Sequence, residues 1–167
     1  MYKFHKVSEE QFKKDCVVLH HWGHAAADSA EIIMPRRATM DSAGYDIFSP
    51  ISFVLHPGKT IDIPTGLKAE LPTGTFLMIV PRSGLGFRHQ ICLANTVGII
   101  DADYYNNPEN EGHIIVKLVN RGETDCIIRA GQAFCQGIIL DYLITDDDYP
   151  GKEVRSGGFG STDKESA

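Results

Sequence analysis

The sequence has no apolar run near the roughly 20 residues that a membrane-spanning helix requires. Its first 14 residues alternate charged and aromatic side chains and lack the apolar stretch of a secretory signal. Both absences predict a cytoplasmic protein (host cytoplasm, were the chain from a phage or virus) with no membrane partner. Cysteine is scarce and scattered: Cys16, Cys92, Cys126 and Cys135 form no Cys-x-x-Cys pair and no zinc-like spacing. Cys92, Cys126 and Cys135 lie in apolar segments, where a free thiol behaves as a small hydrophobe. An excess of positive charge is missing too, with 16 Lys and Arg against 22 Asp and Glu and a net charge of −6. No basic stripe is visible, which argues against a nucleic-acid partner. An acidic chain can still hold a small polyanion, through local donors and a metal ion. Strands alternating with long helices are absent as well, which argues against a doubly wound α/β sheet.

What is present is enough apolar material, 43% of 167 residues, for one domain with a core. Residues 7–22 read as an amphipathic helix, with Ser8 as N-cap and Gln11 placed for a capping box. Phe12, Cys16 and Leu19 share one face, with Trp22 at its margin. From Ile32 onward short apolar runs are separated by turn residues such as Pro57-Gly58, Gly112 and Gly131. Residues 76–80, 113–119 and 134–143 read as strands, and this texture predicts an all-β sandwich or barrel. The glycine-rich last 18 residues hold too few apolar groups for a core position and read as a mobile tail. The expected division is an N-terminal helical extension over 1–31, a β domain over 32–149 and a C-terminal arm over 150–167.

Five segments carry unusual chemistry. Residues 40–47, Met-Asp-Ser-Ala-Gly-Tyr-Asp-Ile, read as a glycine bend entering a strand, but Asp46 between Tyr45 and Ile47 needs a hydrogen-bond or metal-water partner. Residues 81–86, Pro-Arg-Ser-Gly-Leu-Gly, are either an ordinary strand-to-loop turn or a nest in which backbone N–H groups, Arg82 and Ser83 meet phosphate. Residues 93–105 place Asn95, with a donor and an acceptor suited to a base edge, ahead of Asp101, a carboxylate that could aim a water; the bland alternative is a surface hairpin. In residues 129–137 a tight turn leads into a strand, and polar Gln136 in an apolar run points to a ligand or an interface. Arg155, Phe159, Ser161 and Thr162 in the tail suit terminal phosphates and a stacked base.

In order and separation these segments resemble the five motifs of homotrimeric dUTP diphosphatases, over roughly residues 32–162. The strings Ser-Ala-Gly-Tyr-Asp, Pro-Arg-Ser-Gly-Leu, Gly-Ile-Ile-Asp-Ala-Asp-Tyr and Gly-Gly-Phe-Gly-Ser-Thr carry the likeness. The resemblance implies an all-β, jelly-roll-like β-barrel that forms a trimer, each active site shared among three chains and closed by the C-terminal arm. It implies hydrolysis of dUTP to dUMP and pyrophosphate with Mg2+ held by substrate phosphates and water, and no direct protein ligand to the metal. By position, Asp101 corresponds to the carboxylate that activates water. Arg82, Ser83, Gly84 and Gln136 correspond to phosphate-binding positions, and Asn95 and Gly98 to the hairpin that reads uracil. Tyr104 corresponds to the aromatic packed on deoxyribose, Asp46 to a supporting water network, and Arg155, Phe159, Gly160, Ser161 and Thr162 to the arm.

Two departures stand out. Residues 105–111, Tyr-Asn-Asn-Pro-Glu-Asn-Glu, intervene where the family pattern runs quickly into glycine and a strand, which puts the contacts of Tyr104 in doubt. The N-terminal helix is longer than the usual lead-in. A zinc site at His20, His21 and His24 lacks further ligands nearby. Two rivals remain from the residues alone: a dCTP deaminase on the same fold, and a trimer that only binds a partner.

Overall fold

The computed structural model describes residues 1–19 and 30–149, without the side chains of Val18 and Leu19. The chain opens with β1 (Lys3–Lys6) and α1 (Glu9–Lys14), continued by a π-helical turn (Asp15–Leu19). Then follow β2 (Arg36–Arg37), β3 (Tyr45–Phe48), β4 (Phe53–Leu55), β5 (Thr60–Pro64), β6 (Leu67–Glu70) and β7 (Thr75–Pro81). A short helix α2 (Ser83–His89) leads to β8 (Ile91–Leu93) and β9 (Gly98–Asp101), and a 3-10 turn (Ala102–Tyr104) precedes β10 (Ile115–Asn120), β11 (Cys126–Ile128) and β12 (Ala133–Asp141).

The strands form where apolar side chains alternate with others. In β7 the even-spaced Thr75, Leu77 and Ile79 are buried while Phe76, Met78 and Val80 between them are half-buried, the period of a pleated strand with one face on the core. Antiparallel pairing aligns these faces into a five-stranded sheet, β2-β3-β12-β7-β9, and a three-stranded sheet, β5-β10-β8, with two-stranded ladders β1-β6 and β4-β11 beside them. Ile47, Leu77, Ile79 and Ile100 from the larger sheet meet Ile63, Leu93, Val116 and Leu118 from the smaller in one core. Burial of each such side chain contributes about 1.5–3 kcal/mol. The class is all-β, as expected. The four ladders share that core without any one of them closing on itself.

The helix expected over 7–22 is α-helical over Glu9–Lys14 and π-helical over Asp15–Leu19, and its expected end at 20–22, with Trp22, lies outside the described residues. Ser8 does cap it, its Oγ accepting from Gln11 N–H at 3.1 Å. The reciprocal half of the capping box is replaced, because Glu111 takes the Ser8 N–H at 3.0 Å and its hydroxyl at 2.5 Å. A carboxylate outcompetes an amide as acceptor, and Gln11 instead donates to Asp15 at 2.9 Å. The winding changes at Asp15, whose carboxylate, 1% exposed, meets His113 Nδ1 at 2.5 Å. Val7, Phe12 and Cys16 pack a small satellite core against Ala30 and Ile32 of the same chain. No helix among the described residues is long and apolar enough to cross a membrane.

Candidate active site

Two groups of predicted residues lie on one sheet. In the first, β3 and β12 run side by side, so that Asp46 faces Gln136, which in turn faces Val80 of β7. Residues directly opposite in an antiparallel ladder share a face, and this face is the outer one, since Cys135 and Ile47 between them point to the core. The Asp46 carboxylate, whose apolar neighbours demanded a partner, receives Arg82 Nε at 3.0 Å. Arg82 also reaches the Ala133 carbonyl at 3.4 Å, and Gln136 Nε2 donates to the Pro81 carbonyl at 3.2 Å. Gly44 leaves room for this amide, because a Cβ there would meet Gln136 Oε1 and displace it. The glycine segment after Arg82 is the first turn of α2, with Arg82 at its N-cap. The amides of Leu85 and Gly86 return to the Arg82 carbonyl, whereas those of Ser83 and Gly84, both exposed, have no helical acceptor. Arg82, Gln136, Ser83 and Gly84 are therefore assembled as a group of donors suited to phosphate oxygens, with Asp46 as the acceptor that holds Arg82.

The second group surrounds the β8–β9 connection, whose two strands belong to different sheets. Asn95 is exposed at its turn, next to Thr96 at φ +69°. A cavity of about 560 Å³ opens there, lined by Asn95 and Gly98 of the connection and by Leu93, Ile79, Ile114 and Val116. β9 pairs only with β7 and forms one edge of its sheet, and β8 reaches only the far half of β10. The cavity thus lies where two strand margins leave main-chain groups available. A flat, amide-bearing base is matched to such a slot, since it presents the same donors and acceptors as a peptide edge.

Asp101 is half-buried at the far end of β9, opposite Phe76. Tyr104, three residues on, is 4% exposed. Its hydroxyl donates to the His113 carbonyl at 3.1 Å and accepts from Asn110 at 2.8 Å.

One chain does not bring the two groups together. Asp101 and Asp46 share the outer face, but their rows are four residues apart along β7 and three strand spacings apart across the sheet. At about 3.3 Å per residue and about 4.8 Å per strand the separation is about 20 Å. Between them lie Ile138, Met78 and Ile99, the last 51% exposed, and Leu140 beside Asp101's row is 37% exposed. Arg155, Phe159, Gly160, Ser161 and Thr162, and the histidines His20, His21 and His24, lie outside the described residues.

From the sequence, His113 near the expected site carries no role, and Asn107 and Asn110 carry no signal; all three are buried. The Asn-Pro dipeptide signals a turn but says nothing of what the turn encloses. The Glu111 carboxyl is held below its usual value, chiefly by the Ser8 hydroxyl, against the effect of burial, with the Ser8 amide and Lys68 adding to the lowering. Burial pushes the Cys16 thiol up to about 12, with the Asp15 carboxylate adding to it, and pushes Cys135 well above the usual thiol range, helped by Asp46. All four cysteines are free. Among the described residues no three His, Cys, Asp or Glu side chains converge to hold a metal ion.

Comparison with known proteins accords with this geometry. A family profile described as dUTPase matches residues 30–163. A deoxyuridine 5'-triphosphate nucleotidohydrolase of Lactococcus lactis is 42% identical over 135 residues, covering 80% of this chain and 90% of that protein. One from Burkholderia ambifaria is 38% identical over 136 residues, covering 77% and 88%. The crystal structure of a dUTPase from Streptococcus mutans superposes with a TM-score of 0.68 at 30% identity, over 86% of this chain and 98% of that one. A phage phi11 dUTPase structure, described with a structural Mg(II) ion, has a TM-score of 0.62 over 92% and 97% of the chains; at 19% identity it bears on the fold alone. The chain belongs to the dUTPase family, a family of nucleotide hydrolases.

Proposed function

We propose that this chain hydrolyses dUTP to dUMP and pyrophosphate as a homotrimer whose active sites are shared between copies. The observation that carries the reading is β9 itself. It is an edge strand that runs from Gly98, at the mouth of the cavity, to Asp101, about 10 Å along the strand. That is the order of span between the pairing edge of a pyrimidine and the phosphorus on its 5'-oxygen. A nucleotide with uracil on the main chain between Asn95 and Gly98, and with its phosphates laid across the free edge of β9 toward the outer face, brings its α-phosphorus to Asp101.

In this mechanism Asp101 accepts a proton from a water molecule as that water attacks the α-phosphorus. The bond to the bridging β-oxygen breaks, and pyrophosphate leaves in line. Arg82, Ser83, Gly84 and Gln136 of another copy hold the outgoing phosphates by charge and by backbone donors. Two copies are needed because about 20 Å separates the two groups within one chain. The apolar outer face between them, with Ile99 and Leu140 exposed, supplies a surface for that association. Asp46 holds Arg82 and supports the water network.

The donor set fits Mg2+ only indirectly. Asp46, the carboxylate of this cluster, is already engaged by Arg82. A hard cation that keeps its waters would then be held through the substrate rather than by side chains of this chain, and would offset phosphate charge there. Tyr104, nearly enclosed in this chain, backs the deoxyribose position from beneath, Arg155, Ser161 and Thr162 hold the γ-phosphate, and Phe159 and Gly160 close over the base. Residues 32–149 are the catalytic unit, 1–31 an extension and 150–167 the arm. The reaction, in the cytoplasm, limits uracil in DNA and supplies dUMP for thymidylate synthesis.

Pyrophosphate release measured with dUTP, dCTP, dTTP and UTP side by side tests the reading. Turnover with dUTP far above the others is expected, and comparable turnover of dCTP or UTP would overturn it. Asp101→Asn should lower kcat by about 10²–10⁴-fold, with nucleotide binding kept.

A further inference from the structure

We infer that Asn110 is a positioning residue for Asp101, acting through Tyr104, and that residues 105–112 form the brace that makes this possible. The inference rests on the dUTP-hydrolase reading above. It begins with the segment that departs from the family pattern, which is no slack hairpin. Asn107 Oδ1 accepts from the amides of Glu109 and Asn110 at 3.0 and 3.1 Å, and its Nδ2 donates to the Tyr104 carbonyl at 3.1 Å and to Asn110 Oδ1 at 2.8 Å. Asn110 Oδ1 also accepts from Gly112 N–H at 3.1 Å, while Asn110 Nδ2 donates to the Tyr104 hydroxyl at 2.8 Å. Gly112, at φ +78°, has no room for a Cβ, which would collide with the Tyr104 carbonyl. The turn is closed directly upon Tyr104.

Tyr104 is consequently gripped at both ends, main-chain carbonyl and phenol hydroxyl, with its ring in the core. Beyond it, the grip is anchored on His113, which is 0% exposed. Gly66 N–H donates to His113 Nε2 at 2.8 Å, so the proton sits on Nδ1 and is donated to Asp15, just past α1. Phe12 of α1 packs on the imidazole, ring centroids 6.1 Å apart. A continuous set of buried contacts therefore runs from α1 through His113 and Asn110 to Tyr104.

Asp101 is separated from Tyr104 by a single 3-10 turn. Rotating or sliding Tyr104 moves the backbone that carries the Asp101 carboxylate, and a misplacement of about 1 Å at a reacting group can cost about a hundredfold in rate. The polar atoms of the brace are buried, so each lost partner leaves a donor or acceptor without water to replace it. No hydrogen bond of the brace reaches the β8–β9 turn at Asn95, the proposed base site, so the effect falls on the chemical step rather than on binding.

The test compares Asn110→Asp and Tyr104→Phe with the unmodified chain, using steady-state pyrophosphate release from dUTP, normalised to folded protein by circular dichroism and size exclusion. Asn110→Asp keeps an oxygen for Asn107 and Gly112 but replaces the donor to Tyr104 with a carboxylate oxygen; Tyr104→Phe removes the same contact from the other side together with the hydroxyl's bond to the His113 carbonyl. Each is expected to lower kcat about tenfold, with KM within about twofold of the unmodified value. The double variant should lose less than the product of the two single losses, because both substitutions delete the Asn110–Tyr104 contact. A kcat per folded protein equal to the unmodified value would overturn the inference even if the melting temperature fell, and so would losses that multiply in the double variant. If Asn110→Asp does not fold, Tyr104→Phe alone decides by the same criterion. An unmodified chain without dUTP hydrolysis would sink the functional reading and this inference with it, a failure seen before any substitution is made.

Discussion

Mixing two inactive variants should restore activity. Asp101→Asn removes the proposed general base and Arg82→Ala a proposed phosphate donor, and each alone should lose at least about a hundredfold in kcat. The two positions are about 20 Å apart, since Arg82 follows β7 six residues beyond Phe76, the partner of Asp101 on the neighbouring strand. That exceeds severalfold the distance between the first and last phosphorus of one triphosphate. A working site must therefore take Asp101 from one copy and Arg82 from another. In an oligomer assembled at random from equal amounts of the variants, half the Asp101 positions and half the Arg82 positions are intact. About one quarter of the sites then combine both intact residues. Coexpression with two different tags, or refolding together, should return about 25% of unmodified turnover against a background near 1%. A mixture no more active than the mean of its parents, once mixed oligomers are shown by double-tag purification, would refute the shared-site argument.

Gly44→Ala should raise the KM for dUTP about three- to tenfold while moving the melting temperature little, because the added methyl displaces the Gln136 amide rather than a core side chain; an unchanged KM would contradict a substrate role for Gln136. Glu111→Gln should narrow its stability difference from the unmodified chain in acid. The Glu111 carboxyl titrates below its usual value near 4.5 when folded, so its contribution is present above that pH and is lost as the pH falls through the lowered value. Melting curves of both proteins between pH 3 and pH 7 read this directly, and a difference that widens in acid would reverse the assignment. Alkylation of the native protein with iodoacetamide at pH 8, followed by peptide mass spectrometry, should mark Cys92 first. Cys92 is half-buried, whereas Cys16, Cys126 and Cys135 are buried with raised thiol pKa values. Rapid labelling of Cys16 would show that the docking of α1 opens in solution.

The strands were legible where the local rule is strong. β7, β10 and β12 fall within a residue or two of the apolar runs that predict them, since alternation along a strand needs only neighbours. Ser8 was legible as a cap for the same reason, the N3 amide being three residues away. The change of winding at Asp15 was not, because that residue is held by His113, 98 positions along the chain. The partner of Asp46 was demanded by its apolar neighbours, yet its identity as Arg82 depends on β3 and β7 flanking β12.

By itself the sequence determined the all-β class, the order of the motifs and the kinds of side chain available for phosphate, base and water. These follow from composition, period-two patterning and short strings, each complete within a few residues. Only the tertiary structure decided that Asp46, Arg82 and Gln136 stand together, that Asp101 stands about 20 Å from them on the same sheet, and that Tyr104 is enclosed by Asn110 and His113. The physical reason is that strand order and register arise from burying many distant apolar groups at once, and no local stretch of the chain carries that information.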